Sequence, residues 1–112
     1  MYHTKDTFQQ GSIIWVDLDP TLGREQKRRR PAVVVSNDVY SNMIHIMPIT
    51  RTERQTPMLV QLDERTTTEG YVMVDQSRSL DLSQRNPEFI EMIPKDILED
   101  ILNRFWLRFK RN

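Results

Sequence analysis

The chain has 112 residues and 38% hydrophobic side chains, enough for one modest core. Lys+Arg and Asp+Glu each number 16, so global charge announces no nucleic-acid partner and only local clustering can. The absence of cysteine excludes disulfide scaffolds, thiolate metal sites and cysteine nucleophiles.

In chain order, residues 1–10 are polar, lack an apolar signal core and read as an N-terminal tail before a single domain over 11–112. Ile13-Ile14-Trp15-Val16 is β-rich and predicts a first strand, and Asp17-Leu18-Asp19-Pro20 is turn chemistry. Residues 24–30 are highly charged and read as a loop. Arg30-Pro31 then forces extended geometry into a buried strand over 32–35. Further strands are expected over 43–47, stopping near Pro48-Ile49-Thr50, and over 58–62, 71–74, 78–82 and 89–93. Residues 64–70, with three threonines and a glycine, read as a turn region.

The C-terminus changes period. Ile97, Leu98, Ile101, Leu102, Phe105, Trp106 and Phe109 recur at helical spacing after Pro94. Acidic Asp96 and Glu99 lie early, and basic Arg104, Arg108, Lys110 and Arg111 lie late, as the helix dipole favours. Several short strands with one terminal helix predict a mainly β fold, a small curved antiparallel barrel. No apolar run approaches membrane-spanning length, which points to a soluble cytoplasmic protein.

The densest chemical signal is Gly23-Arg24-Glu25-Gln26-Lys27-Arg28-Arg29-Arg30-Pro31, where five of the seven residues 24–30 are basic. Such a stretch attracts phosphates, which arginine grips with two hydrogen bonds. A solvated charged loop or a site for an acidic protein is the alternative reading. His3 lies in the tail, and His45 sits in a strand pointing opposite to Ile44 and Ile46, so the two histidines offer no acid–base pair. Scattered carboxylates without cysteine support no metal site.

Four strings in order resemble the MazF/PemK family of toxin endoribonucleases: Trp15-Val16-Asp17-Leu18-Asp19-Pro20, the Gly-X-Glu-Gln…Arg-Pro string at 23–31, Pro48-Ile49-Thr50, and Val74-Asp75-Gln76-Ser77-Arg78-Ser79-Leu80-Asp81. The resemblance spans residues 11–109. It implies an SH3-like barrel that dimerises, cuts single-stranded RNA (mRNA) at short sequences without metal or cofactor, and is inhibited by a cognate antitoxin through an acidic disordered segment. The neighbouring 2′-hydroxyl would be the nucleophile, giving 2′,3′-cyclic phosphate and 5′-hydroxyl ends and sparing DNA.

On this resemblance Arg30 stabilises phosphorane charge, Thr50 donates to the same phosphate, Glu25 is a candidate base or an orienting group for Arg30, and Asp75 is the rival base. Arg24, Lys27, Arg28 and Arg29 would hold phosphates, and Gln76, Arg78 and Ser79 would read base edges. Two departures stand out. Arg24 occupies the place of a histidine found in the PemK branch, and Met73 that of an arginine, so that branch's Asp-plus-Arg pairing does not carry over. A CcdB-like gyrase inhibitor shares the barrel and is the alternative function, as is an RNA-binding module that does not cut.

Overall fold

The computed structural model describes residues 8–18, 29–37 and 43–111. Among the described residues, seven antiparallel strands are followed by one helix. They are β1 (Ser12–Asp17), β2 (Arg29–Val34), β3 (Met43–Thr50), β4 (Leu59–Gln61), β5 (Tyr71–Met73), β6 (Arg78–Asp81), β7 (Glu88–Met92) and helix α1 (Lys95–Leu107). Strand order is β4-β5-β3-β2-β1-β7, with β6 also paired to β3. This is the expected mainly β architecture with a terminal helix. No helix among the described residues is long and apolar enough to cross a membrane.

The two-residue alternation of the strands builds two cores, one on each face of the bent sheet. Ile13, Val33, Met47 and Ile49 point to one side, where Ile97 and Ile101 of α1 cover them. Ile14, Val16, Ala32, Val34, Ile44 and Ile46 point to the other and pack with Leu80 and Leu82. Residues 8–10, expected in the tail, are held in place. Phe8 packs on the second core and the Gln10 amide donates to the Val35 carbonyl at 2.8 Å.

β3 is the pivot. One edge runs along β2, while the other pairs with β6 over residues 43–46 and with β5 at 49–50. Pro48, buried in mid-strand, lies where the outer edge changes partner. A residue without an N–H is tolerated there because no ladder bond is required at the bend.

Edge strands β4 and β7 do not pair. Their joint is closed by side chains. The Glu91 carboxylate on β7 accepts from the Thr67 and Thr68 N–H groups at 3.1 and 2.9 Å and from their hydroxyls at 3.0 and 2.8 Å. Burial pushes the Glu91 carboxyl up, but these four donors outweigh it and hold the group below its ordinary value.

Three local expectations are corrected. Arg29 and Arg30 belong to β2 rather than to a loop, because Arg29 lies across from Asp17 and the opposite charges pair. The strand expected over 71–74 stops at Met73, and Val74 starts a 3₁₀ turn (Val74–Gln76) that buries Val74 under a bond from its N–H to the Met58 carbonyl. The strand expected over 78–82 ends at Asp81, whose side chain accepts from the Ser83 N–H and starts a second 3₁₀ turn (Leu82–Gln84).

Candidate active site

Arg30 is an exposed residue of β2, directly across from the buried Val16. The β2–β3 register ends at Ala32↔Pro48; its line, carried two residues past that last pair, runs toward Arg30 and Thr50, where β3 pairs with β5. Both stand at even positions of their strands, so both leave the same face of the sheet.

Thr50 is held by three local features. Its backbone pairs with Tyr71 of β5. Its hydroxyl oxygen accepts from the Thr52 N–H at 3.1 Å, which leaves the O–H proton to donate elsewhere. Gly70 (φ +129°) lies against it, and a Cβ there would collide with the Thr50 carbonyl oxygen. Glycine is thus required by both conformation and space.

Arg29 does not point at an open groove. It donates to Asp17 at 3.0 Å and to Glu88 at 2.8 Å. Asp17 also accepts from the Asn86 amide at 2.8 Å. Arg85 donates to the Asp17 and Leu18 carbonyls at 3.0 and 2.6 Å, and Arg78 donates to Leu18 at 2.8 Å. Asn86, followed by Arg29, holds the Asp17 carboxyl below the usual carboxylate range. Three arginines and an asparagine therefore clamp both ends of the segment between β1 and β2. Arg24, Glu25, Lys27 and Arg28 belong to that segment and lie outside the described residues.

Asp75 and Gln76 sit in the 3₁₀ turn after β5. The turn is level with the middle of β3, three to four residues back from Thr50, or roughly 10 Å of strand rise. Asp75 is half-buried, and its Oδ1 is out of solvent contact with no hydrogen-bond partner among the described residues. Ser79 lies opposite His45 and shares a 3.1 Å hydrogen bond with His45 Nδ1. The His45 ring meets Phe105 of α1 edge-on, as a packed rather than a reactive imidazole would.

The structure thus sets Arg30 and Thr50 at one end of the β2–β3 pair and Asp75, Gln76, Arg78 and Ser79 farther along β3. Two cavities open at the Thr50 end. One, of about 690 Å³, is lined by Arg51, Gln61, Glu69 and Tyr71 among others. The other, of about 310 Å³, lies between Trp15, Pro31, Ile49, Arg51 and the 67–69 turn. The Asp17–Arg85–Asn86 clamp and the role of Gly70 are not legible in the motif strings. Asn86-Pro87 was the visible signal for the first, since Asn86 takes a positive φ of 50° before a proline. The second showed only as a glycine closing a threonine-rich turn.

The same arrangement of chain occurs in known proteins. The profile of the PemK-like, MazF-like toxin of type II toxin–antitoxin systems matches residues 9–107. The chain is 32% identical over 109 residues to the endoribonuclease PemK of Escherichia coli, covering 89% of this chain and 80% of that protein. The crystal structure of MazF from Deinococcus radiodurans superposes with a TM-score of 0.80 at 28% identity, over 91% of this chain and 96% of that one. A MazE–MazF complex from the same organism gives 0.78 at 25% identity, over 91% and 94%. With the profile spanning nearly the whole described chain, this protein belongs to the PemK-like, MazF-like toxin family.

Proposed function

We propose that the chain is the toxin of a toxin–antitoxin pair and a sequence-specific endoribonuclease that cleaves single-stranded mRNA without a metal. What supports this reading is that Arg30 and Thr50 stand at even positions near the same end of β2 and β3, so that strand alternation turns both toward one sheet face. Arg30 offers a planar fork of donors to the scissile phosphate. Thr50, its oxygen occupied by the Thr52 N–H, offers its proton to the same group. Donors placed where charge develops lower the barrier for attack by the substrate's own 2′-hydroxyl.

In the proposed reaction the 2′-oxygen forms a bond to phosphorus as a base takes its proton, and the 5′-oxygen leaves with a proton from an acid. The products are a 2′,3′-cyclic phosphate and a 5′-hydroxyl. Glu25 or Asp75 serves as the base. Arg24, Lys27 and Arg28 supply phosphate contacts, and Gln76 supplies a base contact. Arg29, Arg78 and Ser79 already have partners within the fold, so their proposed contribution to RNA binding is chiefly through positioning.

The protein acts in the cytoplasm, and a cognate antitoxin covers the groove with an acidic disordered segment. Antitoxin complexes among the fold relatives support that partner. The chain works as a homodimer. Trp106, Leu107 and Phe109 at the end of α1 are each more than half exposed, an aromatic patch that a second copy would cover.

The test is incubation of purified protein with a single-stranded RNA in excess EDTA. Cleavage that disappears in Arg30→Ala, with unchanged circular dichroism, is expected. Intact RNA together with arrest of gyrase would instead establish the inhibitor reading. Binding without cutting would establish an RNA-binding module.

A further inference from the structure

The cavity of about 310 Å³ at the end of the first core has a composition suited to one flat aromatic guest. Trp15 lines it and is 41% exposed, while its strand neighbours Ile14 and Val16 are fully buried on the other face. Pro31, its cross-strand partner, lies beside it, and Ile49 and Ile90 are the apolar floor. The 67–69 turn also lines the cavity. It is rigid because Glu91 takes both N–H groups and both hydroxyls of Thr67 and Thr68. That leaves Glu69 as an acceptor on the rim and Arg51 as a cation at the mouth.

From these residues, and resting on the ribonuclease reading above, we propose that this cavity is a nucleobase subsite in which one base of the RNA stacks on Trp15. Arg51 holds the adjoining phosphate. An aromatic platform beside a cation is the arrangement by which proteins hold single strands, since every base has a π-face. The Glu69 carboxylate accepts from a base's N–H edge. Apolar walls alone would suit many guests; the cation and the acceptor together select a nucleotide.

The position fits the reaction. Pro31 and Arg51 are the chain neighbours of Arg30 and Thr50, so consecutive residues on both strands serve base and phosphate on opposite sides of the sheet's end. A strand crossing this end would seat a base next to the phosphate to be cut. Trp15 is then a binding residue that fixes the nucleotide's pose and does not touch the reacting atoms.

The probe is a 2′-O-methyl oligonucleotide, which has no free nucleophile, titrated against wild-type protein, Trp15→Phe and Trp15→Leu. Cleavage of unmodified RNA by the wild type is followed in parallel. Binding is expected to quench wild-type tryptophan emission. The quench is lost in Trp15→Phe, which still stacks and binds within a few-fold of wild type. Trp15→Leu binds roughly tenfold more weakly and raises KM with little change in kcat. If Trp15→Leu fails to fold, the comparison of wild type with Trp15→Phe decides. A quench that persists unchanged in Trp15→Phe, or a folded Trp15→Leu that binds as wild type, overturns the subsite. Wild-type cleavage with no Trp15 response sinks the subsite alone. A Trp15 response without cleavage sinks the ribonuclease reading and leaves the base site standing. Neither binding nor cleavage overturns both.

Discussion

Thr50 illustrates how much a hydroxyl depends on its immediate surroundings. A threonine at a strand end is ordinary, but the Thr52 N–H occupies its oxygen and leaves the O–H proton to donate. In the proposed reaction, Thr50→Ala should lower kcat/KM by about 10²-fold and Thr50→Ser should restore most of it, because only the donor matters. Arg30→Ala should cost about 10² to 10³-fold, and lysine should not rescue it, since an ammonium lacks the planar fork. Rate measurements on variants with unchanged circular dichroism check both. Gly70→Ala tests the scaffold of the same residue. Its new methyl collides with the Thr50 carbonyl at a φ that alanine avoids. Stability should fall by about 2 kcal/mol or more in urea titration, and cleavage should fall with it.

At the level of elements, the clamp around Asp17 anchors the segment that carries Glu25. The sign of its pH dependence follows from the depressed carboxyl. The unfolded value is about 3.9. Stability from the clamp is fully present above that value and is lost as pH falls through the lower folded value. Asp17→Asn should therefore reduce stability by about 1 to 3 kcal/mol at pH 7. The difference from wild type should shrink as the pH is lowered below 4. Urea titrations at both ends of that range measure it.

How legible each element was depended on how local its cause is. The helix was written in a 3.6-residue spacing that nothing else produces, and α1 buries Ile97 and Ile101 accordingly. β1 and the core of β2 were equally plain in apolar runs. The start of β2 was hidden because Arg29 looks like loop chemistry until Asp17, twelve residues earlier, lies across from it. The turn at Val74–Gln76 was hidden because Val74 has strand character and its anchor, the Met58 carbonyl, is remote in sequence. For the site, the motif strings picked out Arg30 and Thr50. Their relative placement depends on how β2 runs against β3, which no single string contains.

The described residues form a bent sheet whose open seam the Glu91 carboxylate ties. Glu91 joins the turn after β4 to β7, and that turn also walls the Trp15 cavity. Glu91→Ala should lower stability by about 2 to 3 kcal/mol, because it leaves two backbone N–H groups and two hydroxyls without their charged acceptor. The exposed aromatic end of α1 predicts self-association; light scattering at micromolar concentration should give twice the monomer mass, and a monomer would remove the dimer from the account. In the proposed reaction the chain positions a phosphate for attack by the RNA's own 2′-hydroxyl. Mass spectrometry of products, from an RNA oligonucleotide and from the same oligonucleotide carrying a single 2′-deoxy substitution at the cleaved position, tests this most directly. A 2′,3′-cyclic phosphate and a 5′-hydroxyl are expected from the first and no cleavage at that position in the second. A 5′-phosphate product, or equal cleavage of the deoxy-substituted strand, would contradict the proposed reaction.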